Sequence, residues 1–498
     1  MKHLFLAILL ITLGATARAT DITTSAAGSV EAALGSGAAS VTSLAITGPV
    51  NAADLHFIAS LPALTTLDLS NARIEEHRNS RLATNHSDYK ADQLPPYILA
   101  GAGFSTIVLP AGLTEIADGA LMSTSITTLS IPASVKRIGN GALADCRKLT
   151  QLTIPATVTE TGTHLCDGAT SLARVSIGTD AVAAYAFRGC TALTSVEGSP
   201  TTIGDYAFAG CTSLKSYPFG PSLTHLGTGA FYGSGLTAAL GSCRNLKSIG
   251  DYAFAHCNAL ASVNLPEGLT DVGEGAFFDD NALTSLSIPS SVTTLGDFSL
   301  KGTSKLDSSE GLLSDGVTTV GRYAMAGMES LTNVRIPAGL TALDDYAMAG
   351  MTALESIDAR RPREVPETGA DVWRGIDQSK VTLYVDPSME NSFLAADQWS
   401  EFAIVTSGMR QDVTADGVDT PDVRLAIAGT TLEITSSVPV VSAAVYDTAG
   451  HLLVAASPQA SACELSLPLD RIAPQVLLVN VSVAASSGAS TITFKIAK

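Results

Sequence analysis

The chain repeats itself along most of its length. Ile249-Gly-Asp-Tyr-Ala-Phe254 returns as Val272-Gly-Glu-Gly-Ala-Phe277, and the apolar anchor closing that motif recurs at Leu121, Leu143, Leu165, Phe187, Phe208, Phe231, Phe254, Phe277, Leu300, Met325 and Met348. Successive anchors lie 21 to 25 residues apart, and nine of the eleven follow an alanine. A fixed period of this length specifies a solenoid. One unit of about 23 residues cannot bury an apolar face alone, so neighbouring coils must stack into a continuous core.

Between anchors the unit reads L-x-x-L-x-I-P-x-x-V-x-x-I-G. Leu283, Leu286, Ile288, Pro289, Val292 and Leu295 follow it, as do Leu149, Leu152, Ile154, Pro155 and Val158, and again Leu331, Val334, Ile336, Pro337, Leu340 and Leu343. The first apolar positions alternate with polar ones, the period of a short strand with one buried face. Proline then ends the strand, because it cannot donate to a ladder. The following G-D-Y-A-F-A segment predicts a tight turn and one helical turn, with the acidic residue as its cap. Asp118, Asn140, Asp205, Asp251, Glu274, Asp297 and Asp345 all lie three residues before an anchor, as capping requires.

These residues resemble the BspA-like leucine-rich repeat proteins of bacterial cell surfaces, whose repeat carries an A-F-x-G-C, L-x-x-[VI]-x-[IL]-P signature. The resemblance spans about residues 43–404, opening with Leu64, Leu67, Leu69 and Ile74 and closing with Trp399 and Phe402. It implies an exported surface protein used in adhesion and in contact with host or matrix. The expected fold is therefore an α/β-type leucine-rich-repeat solenoid, with a short strand and a helical turn per coil, followed by a small C-terminal β-sandwich.

Residues 1–19 read as a signal peptide: Lys2, an apolar run from Leu4 to Leu13, and Ala17-Arg-Ala19 as a small-residue cleavage site. Its loss would take 29 basic residues to 27 against 47 acidic ones, a formal charge of −20. That balance repels a phosphate backbone and excludes nucleic acid as a partner. No later apolar run reaches the length of about 20 residues needed to span a bilayer, so no transmembrane span is expected. Cys146, Cys190, Cys211 and Cys257 each follow an anchor by three residues, which makes them a buried ladder. Core thiols are the first reading, and a bridge between stacked neighbours such as Cys190 and Cys211 is the other.

Residues 20–50 read as an N-terminal cap and 51–405 as the solenoid. Within the latter, 71–96 is a polar loop without repeat phase and 381–405 a closing segment. Residues 196–203 are shortened and 306–317 carry an insertion. After a polar linker at 406–420, short strands are expected at 423–427, 431–435, 440–447, 452–456, 463–467, 476–483 and 491–496, enough for a β-sandwich. This part is similar to type IX secretion sorting domains, which implies contact with export machinery; an accessory domain with no sorting role is the alternative.

No cofactor fingerprint and no catalytic constellation occurs, so the chain is read as a non-enzyme. His77 and His86 share the polar loop with Glu75, Glu76 and Asp88 but lack metal-ligand spacing, and no metal site is assigned. Binding is left to the loop and the outward strand positions. The expected contact residues are His77, Arg78, Arg81, His86 and Tyr89 in the loop, and Gln151, Arg174, Asn264, Asn333 and Arg335 on the strands. Extracellular proteins or glycans would be the partners, and a structural envelope spacer without a ligand is the competing role.

Overall fold

A computed structural model describes residues 18–78, 88–309, 311–406, 423–428, 431–436, 438–446, 452–458, 462–469, 476–485 and 488–497. The expected signal peptide up to residue 17, the expected linker at 407–422 and the middle of the polar loop lie outside these. The described residues fall in two compact units. One runs to Leu331 and includes Ala342–Ala353 and Thr368–Ile376; the other comprises Thr332–Thr341, Leu354–Glu367 and the residues from Asp377 onward.

In the first unit, a parallel ladder takes one strand from each coil. It orders Arg18–Thr23, Val41–Val50, Thr66–Ile74, Thr106–Val108, Thr128–Leu129, Gln151–Ile154, Arg174–Ile177 and Ser195–Glu197. Register pairs like with like: Leu152 opposes Val175 and Ile154 opposes Ile177. Their burial alternates along Gln151–Ile154, as the sequence pattern demands. The ladder stops where Pro218 removes a donor, and resumes at Ala238–Ala239, Ser262–Asn264 and Ser285–Ser287. Tyr217 and Phe219 turn inward at this break and meet the Phe231 ring at 5.1 and 5.3 Å.

A second ladder was not anticipated. Each coil adds a two-residue strand just before its turn, as at Arg137–Ile138, Ser248–Ile249 and Asp271–Val272, and these pair in parallel from coil to coil. Their inward residues, Ile138, Ile249 and Val272, complete the core.

The expected helical turn is also absent from these coils. Tyr252 and His256 have φ of 54° and 59°, and left-handed residues at that spacing break the run of right-handed φ that a helix needs. Instead, the N–H groups of Tyr252, Phe254 and His256 donate to Glu274, Ala276 and Phe278 carbonyls in the next coil at 2.7, 2.9 and 2.8 Å. The intervening Ala253, Ala255 and Cys257 N–H groups close i→i+3 bonds within the coil. A third backbone column thus knits the stack. The acidic residues before the anchors cap across coils as well: Asp251 Oδ1 accepts the Glu274 N–H at 2.9 Å, and Asp297 Oδ1 that of Arg322 at 2.8 Å.

Phe187, Phe208, Phe231, Phe254 and Phe277 stack face to face at 5.3 to 5.7 Å, all buried. Beside them runs the thiol column. Every described cysteine is free, so no bridge joins Cys190 and Cys211. The Cys211 thiol donates to Phe187 O at 3.2 Å and Cys257 to Phe231 O at 3.1 Å, each one coil back. Burial pushes both thiols up to about 12, which leaves them protonated as donors and unreactive. Asp280 occupies the same column position, fully buried. Its Oδ1 accepts the Cys257 N–H at 2.7 Å while Oδ2 has no hydrogen-bond partner.

In the second unit, Asn333–Arg335, Ser356–Ala359, Thr382–Val385 and Ala403–Thr406 form a parallel ladder. Trp399 is fully buried there, its indole N–H donating to Pro366 O at 3.0 Å. The unit also holds seven C-terminal strands in two antiparallel sheets. Val423–Ala428, Thr431–Ser436 and Glu464–Pro468 make one; Val440–Tyr446, Leu452–Ala456, Val476–Ala485 and Gly488–Ala497 make the other. Leu432, Ile434 and Leu467 share a core with Val445, Val479 and Val481.

Candidate binding surface

The outward strand positions form the surface that the repeat offers to solvent. Gln151 and Arg174 lie opposite each other in the first unit, both exposed. Asn264 is exposed on the separate ladder with Ser285–Ser287. Threonines run along the entry to these strands and bind the stack rather than a ligand: Thr150 Oγ1 donates to Thr127 O, and Thr284 Oγ1 to Ala261 O, each one coil back. The face is therefore polar, locally saturated and nearly free of aromatic rings.

The second unit concentrates a different chemistry. Asn333 is exposed and opposes Ser356; Arg335 opposes Asp358, which opposes Tyr384 on the next strand. Arg360 clamps Asp358 with two bonds of 2.8 and 2.7 Å and lies 5.9 Å from the Tyr384 ring centre. Burial acts to raise the Asp358 carboxyl, but the Arg360 hydrogen bonds and the charges of Arg360 and Arg335 outweigh it and hold it below the usual carboxylate value. Arg and Tyr are the residue types enriched at binding hot spots, and they gather here in a chain of net charge −18. Arg360 and Tyr384 were missed because the register of three strands, rather than any local motif, makes them neighbours of Arg335.

The loop residues fare differently. Arg81 and His86 lie outside the described residues. His77 and Arg78 form a strand that pairs antiparallel with Asp88–Tyr89. Tyr89 is no contact residue: it is 7% exposed, and its hydroxyl accepts the Ala52 N–H at 2.6 Å. That bond satisfies a donor in the first turn of the helix Ala52–Ala59, and burial is the main cause that pushes the phenol up to about 12. The loop is also shorter than its composition indicates, since residues up to Ile74 extend the Thr66–Ile74 strand and Gln93–Leu94 joins the second ladder. Among the described residues, no group of three or more His, Cys, Asp and Glu side chains could hold a metal ion, and no helix is long and apolar enough to cross a membrane.

Residues 90–194, 180–307 and 304–380 match the family model described as BspA type leucine rich repeat region, in six copies. No curated protein matches the chain. Among solved structures, a leucine-rich repeat protein from Bacteroides ovatus is similar at 20% identity and a TM-score of 0.56, over 73% of this chain and 88% of that one. A leucine rich cell surface protein from Faecalibacterium prausnitzii shares 21% identity over 60% of this chain and 84% of its own, with a TM-score of 0.30. The pneumococcal vaccine antigen PcpA shares 14% identity over 73% and 80%, with a TM-score of 0.28.

Proposed function

The chain belongs to the BspA-type leucine-rich repeat family, and from that premise we propose that it is an exported, non-enzymatic surface protein that binds extracellular proteins or glycans through its strand faces. The observation that carries this reading is the Arg335–Asp358–Arg360–Tyr384 arrangement, which holds two guanidinium groups and a phenol ring in register on one ladder face. The Asp358 clamp immobilises Arg360, so less side-chain entropy is lost when a partner docks. Many weak contacts along the polar coils would add affinity by avidity on a crowded surface. The leader-like residues 1–19 support export, and the C-terminal strands would serve as the sorting or anchoring element.

The test is capture of extracellular-matrix proteins, mucins and glycans by the purified chain, compared with Arg360→Glu and Arg174→Glu variants. Saturable capture weakened roughly tenfold, about 1.4 kcal/mol, by Arg360→Glu supports the reading. A folded protein that captures nothing across the panel favours the spacer role, which the threonine-saturated face of the first unit would suit. Truncation at residue 407 tests the C-terminal strands: retention of the truncated protein in the periplasm is the expected result, and unchanged surface display refutes the sorting role.

A further inference from the structure

The turn column of the first unit carries a row of rings two residues before the anchors, or one residue before in the case of His164 and Leu165. Each ring stacks on its neighbour one coil away: His164 on Tyr185 at 4.6 Å, Tyr185 on Tyr206 at 5.3 Å, Phe298 on Tyr323 at 5.3 Å and Tyr323 on Tyr346 at 4.7 Å, all within 12° of parallel. Glycine interrupts the row at four coils. At Gly229 and Gly275 the ring of the preceding coil covers the gap, since a Cβ there would sit 2.4 Å from the Tyr206 ring and 2.3 Å from the Tyr252 ring. The next coil then supplies its own ring, so no space is left.

Gly119 and Gly141 are consecutive in the row, and this changes the outcome. The Tyr97 ring covers Gly119, where a Cβ would lie 2.2 Å from it. Nothing covers Gly141: a Cβ there would meet only Ala144, at 3.7 Å. The result is a cavity of about 420 Å³ with Tyr97, Gly141 and His164 in its lining, within the size range of small-molecule sites. Tyr97 is 47% exposed.

We propose that this gap in the ring row is a carbohydrate subsite that takes one pyranose ring of a glycan between Tyr97 and His164. A pyranose offers C–H faces to flanking rings and hydroxyl groups at its edge. The edge of the cavity supplies both donors and acceptors in Asn140, Asp145, Asp167 and Arg188. Its charges are already matched within the chain: Asp167 holds Arg188 by bonds of 3.0 and 2.6 Å, and Asp145 holds Arg147 at 3.0 Å. A neutral, hydroxyl-rich ligand therefore suits it better than a basic peptide, which would want an unpaired carboxylate. The subsite lies on the turn column and not on the strand faces, so it stands or falls independently of them.

Gly141→Tyr is the decisive variant. Gly141 has φ of 57°, and tyrosine already adopts 58° at Tyr185 and 58° at Tyr346, so the substitution continues the row in a conformation the fold accepts, at the ordinary left-handed strain of an L side chain. The full chain is titrated with methyl pyranosides of glucose, galactose, mannose and N-acetylglucosamine by saturation-transfer NMR, with thermal unfolding of each variant as a check. The expected result is saturable millimolar binding of at least one glycoside, weakened at least about tenfold by Gly141→Tyr while cooperative unfolding is retained. Tyr97→Ala, which removes an exposed ring, is expected to weaken it similarly and decides the matter if Gly141→Tyr fails to fold. Absence of binding by every glycoside, or binding that both variants leave intact, overturns the proposal. So does displacement of the bound glycoside by an aromatic or basic peptide at equal concentration, because the cavity would then be a protein-contact pocket. Macromolecule capture that survives Gly141→Tyr shows the strand-face reading to be unaffected.

Discussion

Asp280 should weaken the protein at neutral pH, and replacing it with the residue its column prefers should stabilise the fold. Burial is the largest cause that raises its carboxyl well above the usual value, with Asp279 adding to the effect and the Cys257 N–H opposing it. A carboxyl with a raised folded pKa contributes most below its unfolded value, about 3.9, and that contribution declines as pH rises through the folded value. Keeping the proton at pH 7 costs at most about 4 kcal/mol at 1.36 kcal/mol per unit; ionising instead leaves a buried, unpaired charge. In Cys211 and Cys257 the same position donates to an anchor carbonyl one coil back, which an ionised carboxylate cannot do. Asp280→Cys restores that donor and loses one acceptor bond worth about 1 kcal/mol. The net gain should be about 1 to 3 kcal/mol at pH 7 and close to zero near pH 4. Urea unfolding of both proteins across pH 4 to 8 measures it, with Asp280→Asn as a neutral control that keeps an acceptor for Cys257. A loss of stability at pH 7, or a gain that does not change with pH, would refute the argument.

Phe231→Ala removes a buried ring stacked at 5.3 and 5.7 Å on Phe208 and Phe254 and should cost about 3 to 5 kcal/mol in urea unfolding; a cost under about 1 kcal/mol would mean that the ring column does not carry the core. Tyr89→Phe leaves the Ala52 N–H without its acceptor and should cost about 1 to 3 kcal/mol, while an unaffected midpoint would mean that water replaces the phenol. Asp358→Asn should lose less than about 1 kcal/mol at pH 7, because the Asp358–Arg360 pair is one-third exposed. Since the Asp358 value is lowered, that loss is full well above about pH 4 and disappears as pH falls through the lowered folded value, and a difference that does not change with pH would assign it to packing.

The residues that sequence reasoning misplaced share one cause. Tyr89 reads as a polar-loop residue because its neighbours are charged, yet it is drawn into the fold by an uncapped N–H on a helix 37 residues away. The turn motif reads as helical because Ala, Phe and Asp favour a capped turn. Stacking overrode that preference, because two left-handed residues per coil free alternate N–H groups to bond the next coil. The second ladder escaped notice because its strands are two residues long, too short for alternation to register.

The sequence by itself determined the period, the anchors and the alternation of the strands, and hence that coils must stack. These are one-dimensional properties: each residue's inward or outward sense follows from its phase in the repeat. Neighbour relations between coils were decided only by the tertiary structure. Whether a left-handed turn replaces a helix, whether Asp280 is left with an unpaired oxygen, and whether two glycines open a gap that one does not, all depend on what the adjacent coil places about 5 Å away. A single unit carries its own phase but holds no record of what its neighbour presents to it.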